Sequence, residues 1–212
     1  MPGFFSCPLS WRPHCLATRS LEPFLISTGV VALAEIGDKT QLLAFILAAR
    51  FRRPWPIIAG ILAATIVNHA LAGAAGAWLM SLAGPAVMRW VLGVSFLAMA
   101  AWTLVPDHFD EGEVAPRSGR GVFLTTLVAF FLAEMGDKTQ IATVALAAKY
   151  AMPVAVVAGT TLGMMIANVP AVFLGDRLLR RMPVRLVHGV AAALFAVLGI
   201  ATLLGAGASF GF

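Results

Sequence analysis

Ala34-Glu-Ile-Gly-Asp-Lys-Thr-Gln41 recurs as Ala133-Glu-Met-Gly-Asp-Lys-Thr-Gln140, identical at seven of eight positions and displaced by 99 residues. Each copy sets two acids and a lysine in the middle of a long apolar run, residues 24–49 for the first and 122–148 for the second. A bilayer core takes about 20 consecutive apolar residues per helix. At about 1.5 Å rise per residue, the charges of each copy fall roughly 15 Å from either end of such a helix. Four more apolar runs, 56–80, 87–105, 153–174 and 184–204, raise the expected number of spans to six.

The same displacement aligns Ala59-Gly60 with Ala158-Gly159, Gly76 with Gly175, and His69 with Asn168. Each half therefore holds three spans with the motif in its first. An odd number of spans per half turns the second half upside down relative to the first, a construction used by secondary transporters with the substrate site where the halves meet. The expected fold is an all-α polytopic membrane protein of six transmembrane helices in two inverted three-helix repeats. Residues 21–106 form the first repeat and 121–212 the second, joined by an acidic loop over 107–120. Residues 1–20 are expected to be an unordered tail.

Composition agrees. Of 212 residues, 60% are hydrophobic and 12% charged, and mean hydropathy is +0.90. Soluble domains carry about 25% charged residues, so a water-soluble enzyme, a nucleic-acid binder and a disordered linker are all excluded. The net charge of +5 reflects loops rather than a nucleic-acid surface. Arg50, Arg52, Arg53, Arg117, Arg120, Arg177, Arg180, Arg181 and Arg185 fall on one side of the expected bundle, against Arg12, Arg19, Arg89 and Lys149 on the other. The positive-inside rule assigns the first set to the cytoplasm, which places both termini outside. Trp55, Trp78, Trp90 and Trp102 stand near span ends, as interfacial anchors do.

A charged residue at the midplane costs about 2.5–3.5 kcal/mol on insertion scales, and the two motifs supply six. On a continuous helix Glu35 and Asp38 are three apart and share a face, while Lys39 is four from Glu35, within reach of a salt bridge. Gly37 permits close helix approach and loosens the helix locally, which frees carbonyls. Thr40 and Gln41 add neutral oxygens, and Glu134, Asp137, Lys138, Thr139 and Gln140 duplicate the set. Four carboxylates against two lysines leave a net charge of −2. That balance suits one divalent cation on hard oxygen ligands, as Ca²⁺ and Mn²⁺ prefer. A carboxylate held away from water also exchanges a departing metal for a proton, which makes antiport the natural cycle. Lys39 and Lys138, with Thr40 and Thr139, fit the roles of counter-ions or a gate.

The Glu-x-Gly-Asp-Lys-Thr signature in the first and fourth spans resembles the Gdt-type calcium/manganese:proton transporter family, which includes bacterial manganese exporters. The resemblance covers roughly residues 24–206. It implies metal coordination by Glu35, Asp38, Glu134 and Asp137 with Gln41 and Gln140 as neighbours, no cofactor beyond the transported Mn²⁺ or Ca²⁺, and a place in a bacterial inner membrane. An exporter of amino acids or another organic cation, and an uncoupled cation channel, are the competing transport readings. An intramembrane enzyme is disfavoured because no His-Glu-x-x-His occurs and the two motifs are near-identical rather than divided into acid and base roles.

The remaining polar residues have plainer expectations. His69, Asn68 and Asn168 either line the pathway or bond between helices, and His188 is expected at the interface. Asp107, Asp110, Glu111 and Glu113 lack the alternation of an EF-hand and read as a solvated loop. Cys7, His14 and Cys15 do not have a zinc spacing.

Overall fold

The computed structural model describes residues 12–82, 85–105, 121–174 and 184–205, apart from the side chains of residues 12–19 and 85. The acidic loop, Cys7, Gly175, Arg177, Arg180, Arg181 and the side chains of His14 and Cys15 lie outside the described residues. Every regular element among those described is an α-helix: α1 (Arg12–Glu35), α2 (Lys39–Phe51), α3 (Pro54–Leu82), α4 (Pro85–Thr103), α5 (Val122–Glu134), α6 (Lys138–Tyr150), α7 (Pro153–Leu174) and α8 (Val184–Leu203). Helix α1 begins at Arg12, inside the stretch expected to be an unordered tail.

The expectation of unbroken first and fourth spans is corrected. Each divides at its motif, α1 ending at Glu35 and α5 at Glu134. Gly37 and Gly136 take φ of +84° and +78°, a left-handed conformation that costs other L-residues about 1–2 kcal/mol. Asp38 and Asp137 then return to extended backbone as the caps of α2 and α6. Among the described residues four helices are long and apolar enough to cross a membrane: α3, α4 from Ala86, α7 and α8. Helices α2, α5 and α6 have 13 residues each, or roughly 20 Å, shorter than a bilayer core.

The 99-residue displacement reappears in the backbone. Helices α2 and α6 end in left-handed caps at Arg52 (φ 52°) and Ala151 (φ 50°), whose N–H groups donate to Ala48 O and Ala147 O. Pro54 and Pro153 then open the next helices, since proline tolerates a first turn but not a helix interior. Packing is reciprocal between halves: α1 lies on α7, α5 on α3, and α4 on α8. A Cβ on Gly60 would meet Thr126 Cβ at 2.7 Å and Phe123 O at 2.9 Å, and one on Gly159 would meet Ser27 Cβ at 3.0 Å and Phe24 O at 2.4 Å. Both glycines thus let a neighbouring backbone approach at equivalent positions, as small residues do in membrane bundles.

Two apolar cores result. One joins Val30, Met88, Phe96, Leu146 and Phe195; the other joins Leu43, Leu47, Ile61, Phe130 and Val172. The outer faces are apolar as well, with Leu62, Ile66 and Leu71 exposed on α3 and Leu186, Val197 and Ile200 on α8. A soluble monomer does not expose contiguous patches of this kind. Glu35, Asp38, Glu134, Asp137 and Lys138 are instead buried. Apolar residues outside and charges inside mark an integral membrane protein.

Candidate cation site between the two broken helices

The breaks bring the motifs together and alter the expected pairing. Lys39 does not serve Glu35 one turn away: its Nζ lies 3.5 Å from Asp137 Oδ1. Lys138 Nζ lies 2.9 Å from Asp38 Oδ1, with both side chains fully buried. The lysine of each half therefore neutralises the aspartate of the other. The expectation that Glu35 and Asp38 share one helical face fails for the same reason, because a left-handed glycine lies between them. They converge nonetheless, each offering a carboxylate oxygen with Asp137, and the three oxygens lie within 4.8 Å of one another. Among the described residues Glu134 belongs to no such group of three; its Oε2 lies 3.9 Å from His69 Nε2.

Local hydrogen bonds hold this arrangement open. Gln41 Oε1 accepts from Gly37 N at 2.8 Å while its Nε2 donates to Ala167 O at 2.8 Å. Gln140 Oε1 accepts from Gly136 N at 2.8 Å. Each amide thus satisfies an N–H that the break removes from its helix. Thr40 Oγ1 donates to Glu35 Oε2 at 2.5 Å, and Thr139 Oγ1 to Asp137 Oδ2 at 3.2 Å. Glu35 Oε1 and both oxygens of Glu134 have no hydrogen-bond partner among the described residues. Buried polar atoms left this way are costly unless a ligand takes them. The N-termini of α2 and α6 carry the positive ends of their helix dipoles to the two aspartates.

The two breaks differ in cover. His188 Nε2 lies 2.7 Å from Ile36 O, a carbonyl in the non-helical segment between α1 and α2. The sequence placed His188 at the interface; its acceptor exists only once the helix is broken. Val184 lies over Gly37, and a Cβ there would come 2.4 Å from Val184 Cγ1, whereas one on Gly136 would meet nothing within 4 Å. Met135 beside Gly136 is 55% exposed. Gly37→Ala is therefore expected to destabilise more than Gly136→Ala, which carries only the conformational cost of about 1–2 kcal/mol. Thermal unfolding in detergent measures the difference, and Val184→Ala in the Gly37→Ala background is expected to recover part of it. Equal losses at the two glycines would refute the asymmetry.

Of the other polar positions in the second spans, Asn68 Nδ2 donates to Phe131 O at 3.1 Å, the interhelical one of its two expected roles. Asn168 Nδ2 donates to Met164 O at 3.1 Å, within its own helix. Trp55, Trp78, Trp90 and Trp102 are exposed.

Apolar spans around paired buried carboxylates and lysines define a membrane protein that handles ions. The family profile described as "Divalent cation/proton antiporter GDT1" matches residues 23–111 and 122–209, two stretches that enclose the two motifs. The chain belongs to that family. It is 49% identical over 189 residues to a Vibrio cholerae protein named "Putative manganese exporter", covering 89% of this chain and 94% of the relative. A GDT1-like protein of Synechocystis is 29% identical, over 84% of this chain and 96% of the relative. GDT1-like protein 5 of Arabidopsis thaliana is 30% identical, over 87% and 96%. No solved structure is matched significantly.

Proposed function

We propose that this protein is a secondary transporter that exports Mn²⁺, and Ca²⁺ as a second substrate, in exchange for protons. The observation that carries the reading is the convergence of buried Glu35, Asp38 and Asp137 oxygens within 4.8 Å inside a chain whose outward faces are apolar. Hard oxygen donors at this separation suit a divalent cation. The family description and the name of the Vibrio relative support the same substrate class.

In this reading α1–α2 and α5–α6 each cross the membrane as one interrupted span, giving six crossings and two repeats of opposite orientation. Discontinuous helices at the midplane are a common way to build a transport site. Residues 21–106 and 121–212 are the repeats. The arginine-rich loops and the 107–120 connection face the cytoplasm of a bacterial inner membrane, with both termini outside. Glu35, Asp38, Glu134 and Asp137 bind the cation, and Gln41 and Gln140 brace the breaks beside it. Lys39 and Lys138 occupy the aspartates when the cation is absent, as in the pairs at 3.5 and 2.9 Å. Cation and ammonium then compete for the same oxygens, and Thr40 and Thr139 hold the carboxylates through the exchange. Protons taken up as the metal leaves keep the buried charge near balance.

The test is flux in proteoliposomes. With an acidic lumen, Mn²⁺ is expected to accumulate inside as protons leave, and a protonophore that collapses the gradient is expected to stop the accumulation. Flux indifferent to the gradient would replace the antiporter with a channel. Gradient-coupled movement of an amino acid without Mn²⁺ would replace the substrate.

A further inference from the structure

The three carboxylates that converge leave Glu134 to one side, and it has a different neighbour. His69 is fully buried on α3, with Nε2 3.9 Å from Glu134 Oε2. Neither ring nitrogen of His69 nor either oxygen of Glu134 has a hydrogen-bond partner among the described residues. Four polar atoms of two neighbouring side chains are thus out of water, and the pair that approaches, His69 Nε2 and Glu134 Oε2, stands beyond hydrogen-bond length. Two donors on one metal ion, each about 2.1–2.6 Å from it, stand roughly 3–5 Å apart, and 3.9 Å lies within that span. Glu134 ends the helix that precedes Asp137, one of the three converging acids, so the pair adjoins the oxygen cluster.

This is also where the duplicated site ceases to be a duplicate. The acids, lysines, threonines and glutamines of the motifs are the same in both halves. The position of His69 is taken in the other half by Asn168, whose amide donates to Met164 O. One half therefore presents an imidazole nitrogen where the other presents an amide. Neutral imidazole is a good ligand for first-row transition metals, whereas Ca²⁺ takes oxygens.

We propose that His69 and Glu134 form a nitrogen–oxygen pair of ligands on the cation's route, adjoining the all-oxygen cluster, and that His69 selects Mn²⁺ over Ca²⁺. This rests on the reading of the chain as a divalent-cation transporter. His69→Asn, which installs the residue of the other half, is expected to weaken the apparent Mn²⁺ affinity in proteoliposomes about 10–100-fold, the range seen for disturbed metal sites. Ca²⁺ handling is expected to change less than about 3-fold, so the preference between the ions falls at least about 3-fold. A structural role for His69 predicts equal losses for the two ions, and equal losses or an unchanged preference overturn the assignment. A spectroscopic measurement on the unmodified, tag-free protein does not depend on the variant folding. With one Mn²⁺ bound per chain, electron spin echo modulation is expected to show coupling to an imidazole nitrogen; its absence overturns the proposal. Wild-type protein that moves neither ion in the same vesicles would instead overturn the transport reading, so the two failures are distinguishable.

Discussion

In a manganese-sensitive strain that relies on this protein, Glu35→Gln is expected to abolish protection while leaving the folded protein at least as stable as before. The two halves of that expectation have separate causes. Glu35 Oε1 has no hydrogen-bond partner among the described residues and Oε2 accepts from Thr40 at 2.5 Å. Glutamine keeps the shape and an oxygen for the threonine, so packing and the local hydrogen bond survive. What it removes is one of three negative charges whose oxygens lie within 4.8 Å of one another. Their mutual repulsion at low dielectric opposes folding of the metal-free protein, and a neutral amide relieves it. The same charge is what a dication needs, so Mn²⁺ flux in vesicles is expected to fall by at least about 100-fold, the upper end of what a disturbed outer-shell partner costs. Stability gained where function is lost is the usual mark of a site built against the interests of the fold. Asp137→Asn is expected to lose transport similarly, but without the gain, because it also strips Lys39 of its carboxylate at 3.5 Å. Retained manganese tolerance in both variants would remove these acids from the site.

Much of this architecture is legible in the sequence because duplication is a property of residue order. The displacement of 99 residues that aligns the motifs also aligns the starts of α2 and α6, of α3 and α7, and of α4 and α8. It pairs Gly60 with Gly159 at equivalent helix contacts. Local loosening at Gly37 is legible, but the complete interruption of both motif-bearing segments is not. A glycine inside an apolar run costs a helix only about 1 kcal/mol relative to alanine, too little to announce a break. The preference for a break comes from the other half of the molecule, where Asp137 and Asp38 take the lysines that a continuous helix would give to its own glutamate. A tertiary ion pair leaves no trace in local spacing. The partner of His188 is not legible for a related reason, since the Ile36 carbonyl it meets is occupied in any unbroken helix. His69 was marked by its alignment with Asn168, but its proximity to Glu134 is set by how α3 packs on α5.

Lys138→Gln is expected to produce the largest loss of stability of any single change at the site, about 3–5 kcal/mol. Lys138 Nζ and Asp38 Oδ1 are 2.9 Å apart with both side chains fully buried, and removing one member of such a pair leaves the other charge uncompensated away from water. Lys39 offers the comparison within the same molecule. It lies 3.5 Å from Asp137 with its side chain 28% exposed, so water shares its burden and Lys39→Gln is expected to cost only about 1 kcal/mol. Asp38→Asn in the Lys138→Gln background is expected to recover most of the lost stability, because a neutral pair asks for no counter-charge. It is not expected to recover Mn²⁺ flux, because Asp38 supplies one of the three converging oxygens. Thermal unfolding in detergent and vesicle flux read these two properties separately; a double variant as unstable as Lys138→Gln alone would refute the pairing. The inequality of the lysines bears on mechanism. Two motifs identical at seven of eight positions hold one tight, dry ion pair and one looser, wetter pair, so the halves differ in conformation where they hardly differ in sequence.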